Sequence, residues 1–265
     1  MRSEYLICPV CRKPLKQDGG CLKCRGGHSF DVARQGYVNL LLRAGRHGDD
    51  KAMLAARRGF LEQGYYEPVA RLLCGVCGAA GGGVLLDMGC GEGYYTDYIV
   101  RHTGLTGLGF DVSKHACAMT ARRNEAVTVF TASAFDIPVK ESCTECALSV
   151  FAPFDAAQLS RVLNKNGRFV RVFPLREHLL ELKRAVYDNP RENPEENTVI
   201  PGFVTESLRE LRFEMLLKSR EDLKALFGMT PYVYRTGRAE AERLEKLEGL
   251  KCTVAMGIAV YRVGK

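Results

Sequence analysis

Cys8-Pro9-Val10-Cys11 and Cys21-Leu22-Lys23-Cys24 are two C-x2-C knuckles separated by nine residues, and His28 follows Cys24 after three more. A tetrahedral zinc ion takes four soft or borderline ligands, and a knuckle places two thiolates on one side of it. Spacing leaves two ligand sets open. One is Cys8, Cys11, Cys21 and Cys24; the other is Cys8, Cys11, Cys24 and His28. Either closes the coordination sphere, so the metal would be structural and would have no open position for catalysis. Cys74-Gly75-Val76-Cys77 and Cys143-Thr144-Glu145-Cys146 repeat the spacing, but one falls at a helix end and the other beside a strand. Those pairs read as buried or incidental thiols.

The second constellation is Asp87-Met88-Gly89-Cys90-Gly91-Glu92-Gly93, which follows the apolar run Val84-Leu85-Leu86 and opens a helix. Three glycines let the backbone turn tightly and approach a ligand closely. The spacing is not the G-x-G-x-x-G of dinucleotide binders. An acid before the glycines would repel a pyrophosphate and suits a cofactor with a cationic centre. The next strand ends at Asp111, 24 residues after Asp87, where a carboxylate can accept hydrogen bonds from both ribose hydroxyls. Together these features resemble the class I S-adenosylmethionine methyltransferases. That resemblance implies a further acid near the end of the third strand, holding the adenine amino group. Here Ser133 occupies that place, followed by Ala134, so adenine recognition is expected from the Ser133 hydroxyl or from backbone groups.

The elements that would position these residues can be read from periodicity. Helices are expected from about 50 to 63 and on to about 77. From Gly83, strands at 84–88, 106–111, 127–131, 145–150 and 167–173 alternate with helices at 94–102, 113–124 and 155–163. Strands separated by helices of this length imply βαβ units and a parallel sheet. A last strand is expected at 251–263, and the proline-containing stretch 189–201 reads as a loop able to act as a lid. The expected fold is therefore α/β: a class I, Rossmann-like domain with a mostly parallel seven-stranded sheet, plus a small N-terminal zinc module. The module should span 1–36 and the larger domain 37–265, with a flexible linker at 43–50 and separate cores.

Composition narrows the partners. The chain has 265 residues and a net charge of +7, and residues 1–60 carry twelve Lys/Arg against five Asp/Glu. The remaining chain balances, so the excess positive charge lies in and just after the cysteine-rich segment. Such a block favours a polyanion, although a solvated basic surface would look the same. No apolar run reaches a membrane span and no secretory leader is evident, so a cytoplasmic protein with no membrane partner is expected.

The whole chain resembles the RlmA-type 23S ribosomal RNA (guanine-N1)-methyltransferases. The residues that carry this resemblance are the knuckles, Gln35 to Leu41, Ala56 to Leu61, Asp87 to Thr96, Asp111 to Lys114, Phe151-Ala152-Pro153, His178 to Lys183 and Met229-Thr230-Pro231. It implies zinc ligation by Cys8, Cys11, Cys24 and His28. It implies cofactor contacts by Tyr66, the loop of Asp87, Gly89, Gly91, Glu92 and Gly93, Tyr94 and His178. It also implies a homodimer acting on a guanine in a hairpin of domain II of 23S ribosomal RNA. Phe151 stands where amino-group methyltransferases place Asn or Asp, which points to a ring nitrogen as target. Phe151 and Pro153 are the expected substrate contacts, with Phe151 as a core aromatic the plainer alternative. No residue is identified as the general base, although His178 has a suitable ordinary pKa. The competing reading is a zinc-tethered methyltransferase acting on another RNA, a protein or a small molecule.

Overall fold

A computed structural model describes residues 1–43, 48–79 and 81–264. The N-terminal ribbon is a three-stranded antiparallel sheet of β1 (Leu15–Asp18), β2 (Cys21–Cys24) and β3 (Ser29–Asp31). The chain then forms β4 (Tyr37–Asn39), α1 (Lys51–Glu62) and α2 (Glu67–Gly78). Asp50 caps α1, its side chain accepting from the Met53 N–H at 2.8 Å. The alternating region follows as β5 (Val84–Met88), α3 (Tyr94–Thr103), β6 (Thr106–Asp111), α4 (Lys114–Arg123) and β7 (Thr128–Thr131). It continues through β8 (Thr144–Val150), α5 (Ala156–Val162), β9 (Leu163–Pro174) and α6 (Leu180–Val186). The C-terminal part comprises β10 (Phe203–Leu217), α7 (Arg220–Gly228), α8 (Arg238–Glu245) and β11 (Leu250–Val263).

The main sheet runs β10-β11-β9-β8-β5-β6-β7-β4. All neighbours from β9 to β4 are parallel, and β11 is antiparallel to both β9 and β10. The seven strands expected of the fold are present, and the sheet gains an eighth because Tyr37–Asn39 pairs in parallel with β7 at the edge.

Alternation along β5 divides the core. Leu85 faces a cluster built with Phe60, Leu73, Ile99, Leu182 and Leu223 of the covering helices. Val84, Leu86 and Met88 face a second cluster with Leu159 and Val162 of α5, and with Leu6, Leu15 and Leu22 of the ribbon. Central parallel strands are buried on both faces, which explains their continuous apolar sequence. The separate cores expected for ribbon and sheet are therefore one: too small to bury its leucines alone, the ribbon buries them against the sheet. Backbone bonds reinforce the joint: the Ile7 N–H donates to Pro138 O at 3.0 Å and the Lys140 N–H to Tyr5 O at 2.9 Å. Of the linker expected at 43–50, residues 44–47 lie outside the described residues.

Candidate functional site

Cys8 and Cys11 lie on the turn before β1, Cys24 ends β2, and His28 precedes β3. Their ligand atoms all lie within 4.8 Å of one another. Cys24 Sγ is 3.4 Å from His28 Nδ1 and 3.5 Å from Cys11 Sγ, while Cys8 Sγ is 3.6 Å from His28 Nδ1. Burial opposes ionisation of Cys24, but hydrogen bonds from the His28 and Gly26 backbone and the His28 ring outweigh it, bringing the thiol down to about 6. Cys21 is elsewhere, its Sγ donating to Asp18 O at 3.1 Å. A Cβ on Gly26 would come within 3.0 Å of Cys11 Sγ and 3.5 Å of both Cys24 Sγ and His28 Nδ1, so this cradle needs glycine. Three thiols and one imidazole converging in this way fit a closed tetrahedral zinc site.

The glycine loop lies at the C-terminal end of β5, the usual ligand position in open parallel sheets. It borders a cavity of about 760 Å3. Gly89, Gly91 and Gly93 have φ of 72°, 56° and 90°, the left-handed region. Gly89 also packs against the Phe151-Ala152-Pro153 segment: a Cβ there would sit 2.6 Å from that of Ala152. Asp87 is buried beneath the loop and accepts from the Thr96 hydroxyl. Burial raises its carboxyl to about 7, with the Thr96 bond pulling the other way. Asp111 ends β6 and accepts from the Ser113 N–H at 2.8 Å and the Gly91 N–H at 3.2 Å. Burial raises its pKa, and those two amides oppose the rise.

Most of the expected cofactor residues share this cavity wall. Asp87, Gly89, Gly91, Glu92, Tyr94, Asp111, Ala134, His178 and Tyr66 line it, as do Phe151 and Pro153. Among the described residues the buried Tyr66 hydroxyl has no hydrogen-bond partner, an unmet polar group that a ligand can satisfy. Glu92 turns its carboxylate to Arg123 and the Tyr94 N–H. Gly93 packs against Thr120, which would lie 3.0 Å or less from a Cβ there. Ser133 accepts from the Phe135 N–H at 3.2 Å, while its neighbours Ala132 and Ala134 form the wall. The His178 Nδ1 accepts from the Ala255 N–H at 3.2 Å, so the neutral ring carries its proton on Nε2. Burial, then Lys183, lowers its pKa to about 4. A ring so fixed presents a donor and lacks a free lone pair with which to take a proton. Phe151 has φ 55°, is 47% exposed and stacks on His178 at 5.7 Å. Strain of this kind at a non-glycine residue persists where the surroundings enforce it.

Sequence reading missed Asp49, Arg57, Arg171, Asn193, Glu196 and Tyr232, which also line the cavity. They come from α1, β9 and loops far apart in the chain, and no short motif joins them.

A model described as RlmA, N-terminal, a zinc ribbon, matches residues 6–42, and a methyltransferase-domain model matches residues 85–171. A 23S rRNA (guanine(748)-N(1))-methyltransferase of Streptomyces fradiae is 32% identical over 272 residues, covering 98% of this chain and 97% of the relative. The chain belongs to the 23S rRNA (guanine-N1)-methyltransferase family. A provisionally named family member from Micromonospora griseorubida is 31% identical, covering 97% of both chains. Another, YxjB of Bacillus subtilis, is 25% identical over 96% of this chain and 95% of the relative. As a member of this family the chain is an S-adenosylmethionine-dependent enzyme with a structural zinc. Among the described residues, no helix is long and apolar enough to cross a membrane.

Proposed function

We propose that the chain methylates N1 of a guanine in a domain II hairpin of 23S ribosomal RNA, working in the cytoplasm as a homodimer. The observation that carries this reading is a complete cofactor cavity and a zinc ribbon on one core, in a chain that aligns almost end to end with relatives of that name. Residues 1–36 serve as the RNA-gripping module and 37–265 as the catalytic domain. The excess of Lys/Arg in residues 1–60 meets the phosphate backbone, so affinity falls steeply with salt.

Bound S-adenosylmethionine supplies an activated methyl group and a thioether leaving group. The chain's own contribution is alignment, the source of large effective molarities. Asp111 meets the ribose, with its carboxylate oriented by the Gly91 and Ser113 amides. Asp87 provides negative potential beneath the loop, and Tyr66 and His178 line the cavity that would receive the cofactor. Phe151, at the cavity mouth, offers a ring on which an extruded base can stack. It has no acceptor for an exocyclic amine, in keeping with a ring nitrogen as nucleophile.

Incubation of unmodified 23S ribosomal RNA with methyl-labelled cofactor tests the reading. Label should enter the isolated domain II hairpin as well. Label entering proteins or small RNAs, with ribosomal RNA left blank, would favour the zinc-tethered alternative.

A further inference from the structure

Neutral guanine N1 carries a proton that must leave as the methyl arrives, and the binding residues described so far include no acceptor for it. Among the described residues, five carboxylates line the cavity: Asp49, Asp87, Glu92, Asp111 and Glu196. Four have other partners. Asp87 lies beneath the loop bonded to Thr96, Glu92 pairs with Arg123, and Asp111 holds the Gly91 and Ser113 amides. Asp49 pairs with Arg57 on the Asp111 side of the cavity. Glu196, like Asp49, meets one arginine and keeps its other oxygen without a partner among the described residues, but it differs in place: its Oε2 is 2.5 Å from Nη2 of Arg171, whose guanidinium lies over the Phe154 ring beside the Phe151-Ala152-Pro153 segment.

Arg171 is held firmly. It lies on β9 opposite Ser149 of β8, two residues before Phe151, and its guanidinium sits 5.2 Å from the Phe154 ring and 5.1 Å from that of Phe173. Its Nη1 donates to Asn197 O at 2.8 Å. The loop carrying Glu196 is tied down on both sides. Asn193 donates to Leu175 O and His178 O and accepts from Lys183 Nζ at 2.7 Å, and the Tyr261 hydroxyl donates to Thr198 O. The charged and titratable groups around Glu196 are thus Arg171 of β9 and Tyr261 of β11, with His178 on the same cavity wall and Lys183 of α6 behind Asn193.

We infer that Glu196 is the catalytic base for the guanine, paired with Arg171 as the reader of its Watson–Crick edge. The inference rests on the guanine-N1 reading above. That edge presents O6 as acceptor and N1–H and the 2-amino group as donors. An arginine beside a carboxylate offers the complementary donor and acceptors. N1 forms its bond to the methyl carbon as the carbon–sulfur bond breaks with its electron pair on sulfur. The N1 proton passes to Glu196, which returns it to water after product leaves, and Arg171 stabilises the charge that N1 deprotonation places on O6.

The test is single-turnover methylation of the 23S ribosomal RNA hairpin by wild type and E196Q across a range of pH, with cofactor affinity and thermal stability measured on both. E196Q should slow transfer by about 10²- to 10⁴-fold with cofactor affinity unchanged. Its rate should climb with pH, because hydroxide must now remove the N1 proton, whereas the wild-type profile stays flatter. E196D should recover part of the loss. A rate within threefold of wild type, or a uniform fall with the wild-type pH slope, would overturn the base assignment and leave the guanine-N1 reading standing. Wild type that modifies no guanine N1 would overturn both.

Discussion

At Asp87 the environment moves a carboxyl far from its ordinary chemistry. In the free protein its carboxyl titrates near about 7 because burial disfavours the charged form. A sulfonium or ammonium group in the cavity favours the carboxylate, so binding expels a proton. The sign follows: cofactor affinity should climb as pH rises toward about 7 and level off above it, by at most about tenfold per unit. Calorimetry at several pH values should show that slope in wild type and not in Asp87→Asn; a flat wild-type profile would remove Asp87 from the electrostatics of binding. The metal ligands give a second residue-scale expectation. His28→Ala should release zinc and Cys21→Ala should retain it, since Cys21 points to Asp18 O. Metal analysis of the two variants decides between the sets, and zinc kept in the first but lost in the second would reinstate four cysteines. Spacing alone left this choice open. Only the register of β2 against β3, Cys21 opposite Asp31 and Lys23 opposite Ser29, turns Cys24 toward His28 and Cys21 away.

At the level of elements, the loop between β5 and α3 is where backbone conformation matters most. Gly89 combines φ 72° with a prospective Cβ 2.6 Å from Ala152. Gly89→Ala should therefore destabilise the protein by about 1–3 kcal/mol and weaken cofactor binding, because relief of the clash displaces the Phe151-Ala152-Pro153 segment. Denaturant unfolding and cofactor titration check both parts, and a variant indistinguishable from wild type would show the loop to be more yielding than its packing implies. The alternating region from β5 to β9 was legible because the strands of a parallel sheet are short apolar runs and its helices carry a different period. Other elements were not. β10 contains Leu208-Arg209-Glu210-Leu211-Arg212-Phe213-Glu214-Met215, rich in good helix formers. It is a strand because it pairs with β11 from Phe203 to Leu217, a long-range partnership with no local signature. Ser133 shows the same limit at a turn: its oxygen accepts from the Phe135 amide, a local bond that leaves its O–H free to donate, and the sequence carries no mark of that turn.

The whole molecule is more unified than a zinc module followed by a catalytic domain would suggest. Leu6, Leu15 and Leu22 of the ribbon are buried with Leu86, Phe110 and Phe130 of the sheet, and β4 extends the sheet edge. Zinc should therefore stabilise the catalytic domain as well as the ribbon. Stripping it with a strong chelator should lower the temperature of one shared unfolding transition and weaken cofactor binding with it. A ribbon that melts separately, leaving the cofactor-stabilised transition untouched, would show the two to be energetically independent. This coupling was invisible in the sequence because ribbon leucines carry no mark of what covers them. The converging wall of Arg57, Arg171, Asn193 and Glu196 was invisible for a similar reason, since it exists only once α1, β9 and the loop after α6 come together. The measurement that bears most directly on the molecule as a whole is nucleoside analysis of unmodified 23S ribosomal RNA after incubation with the enzyme and methyl-labelled cofactor. Labelled N1-methylguanosine, mapped to a single position in the domain II hairpin and absent when RNA lacking that hairpin is supplied, is the expected result. Label recovered as an N2-methylated guanine, on another base, or not in ribosomal RNA at all would contradict it.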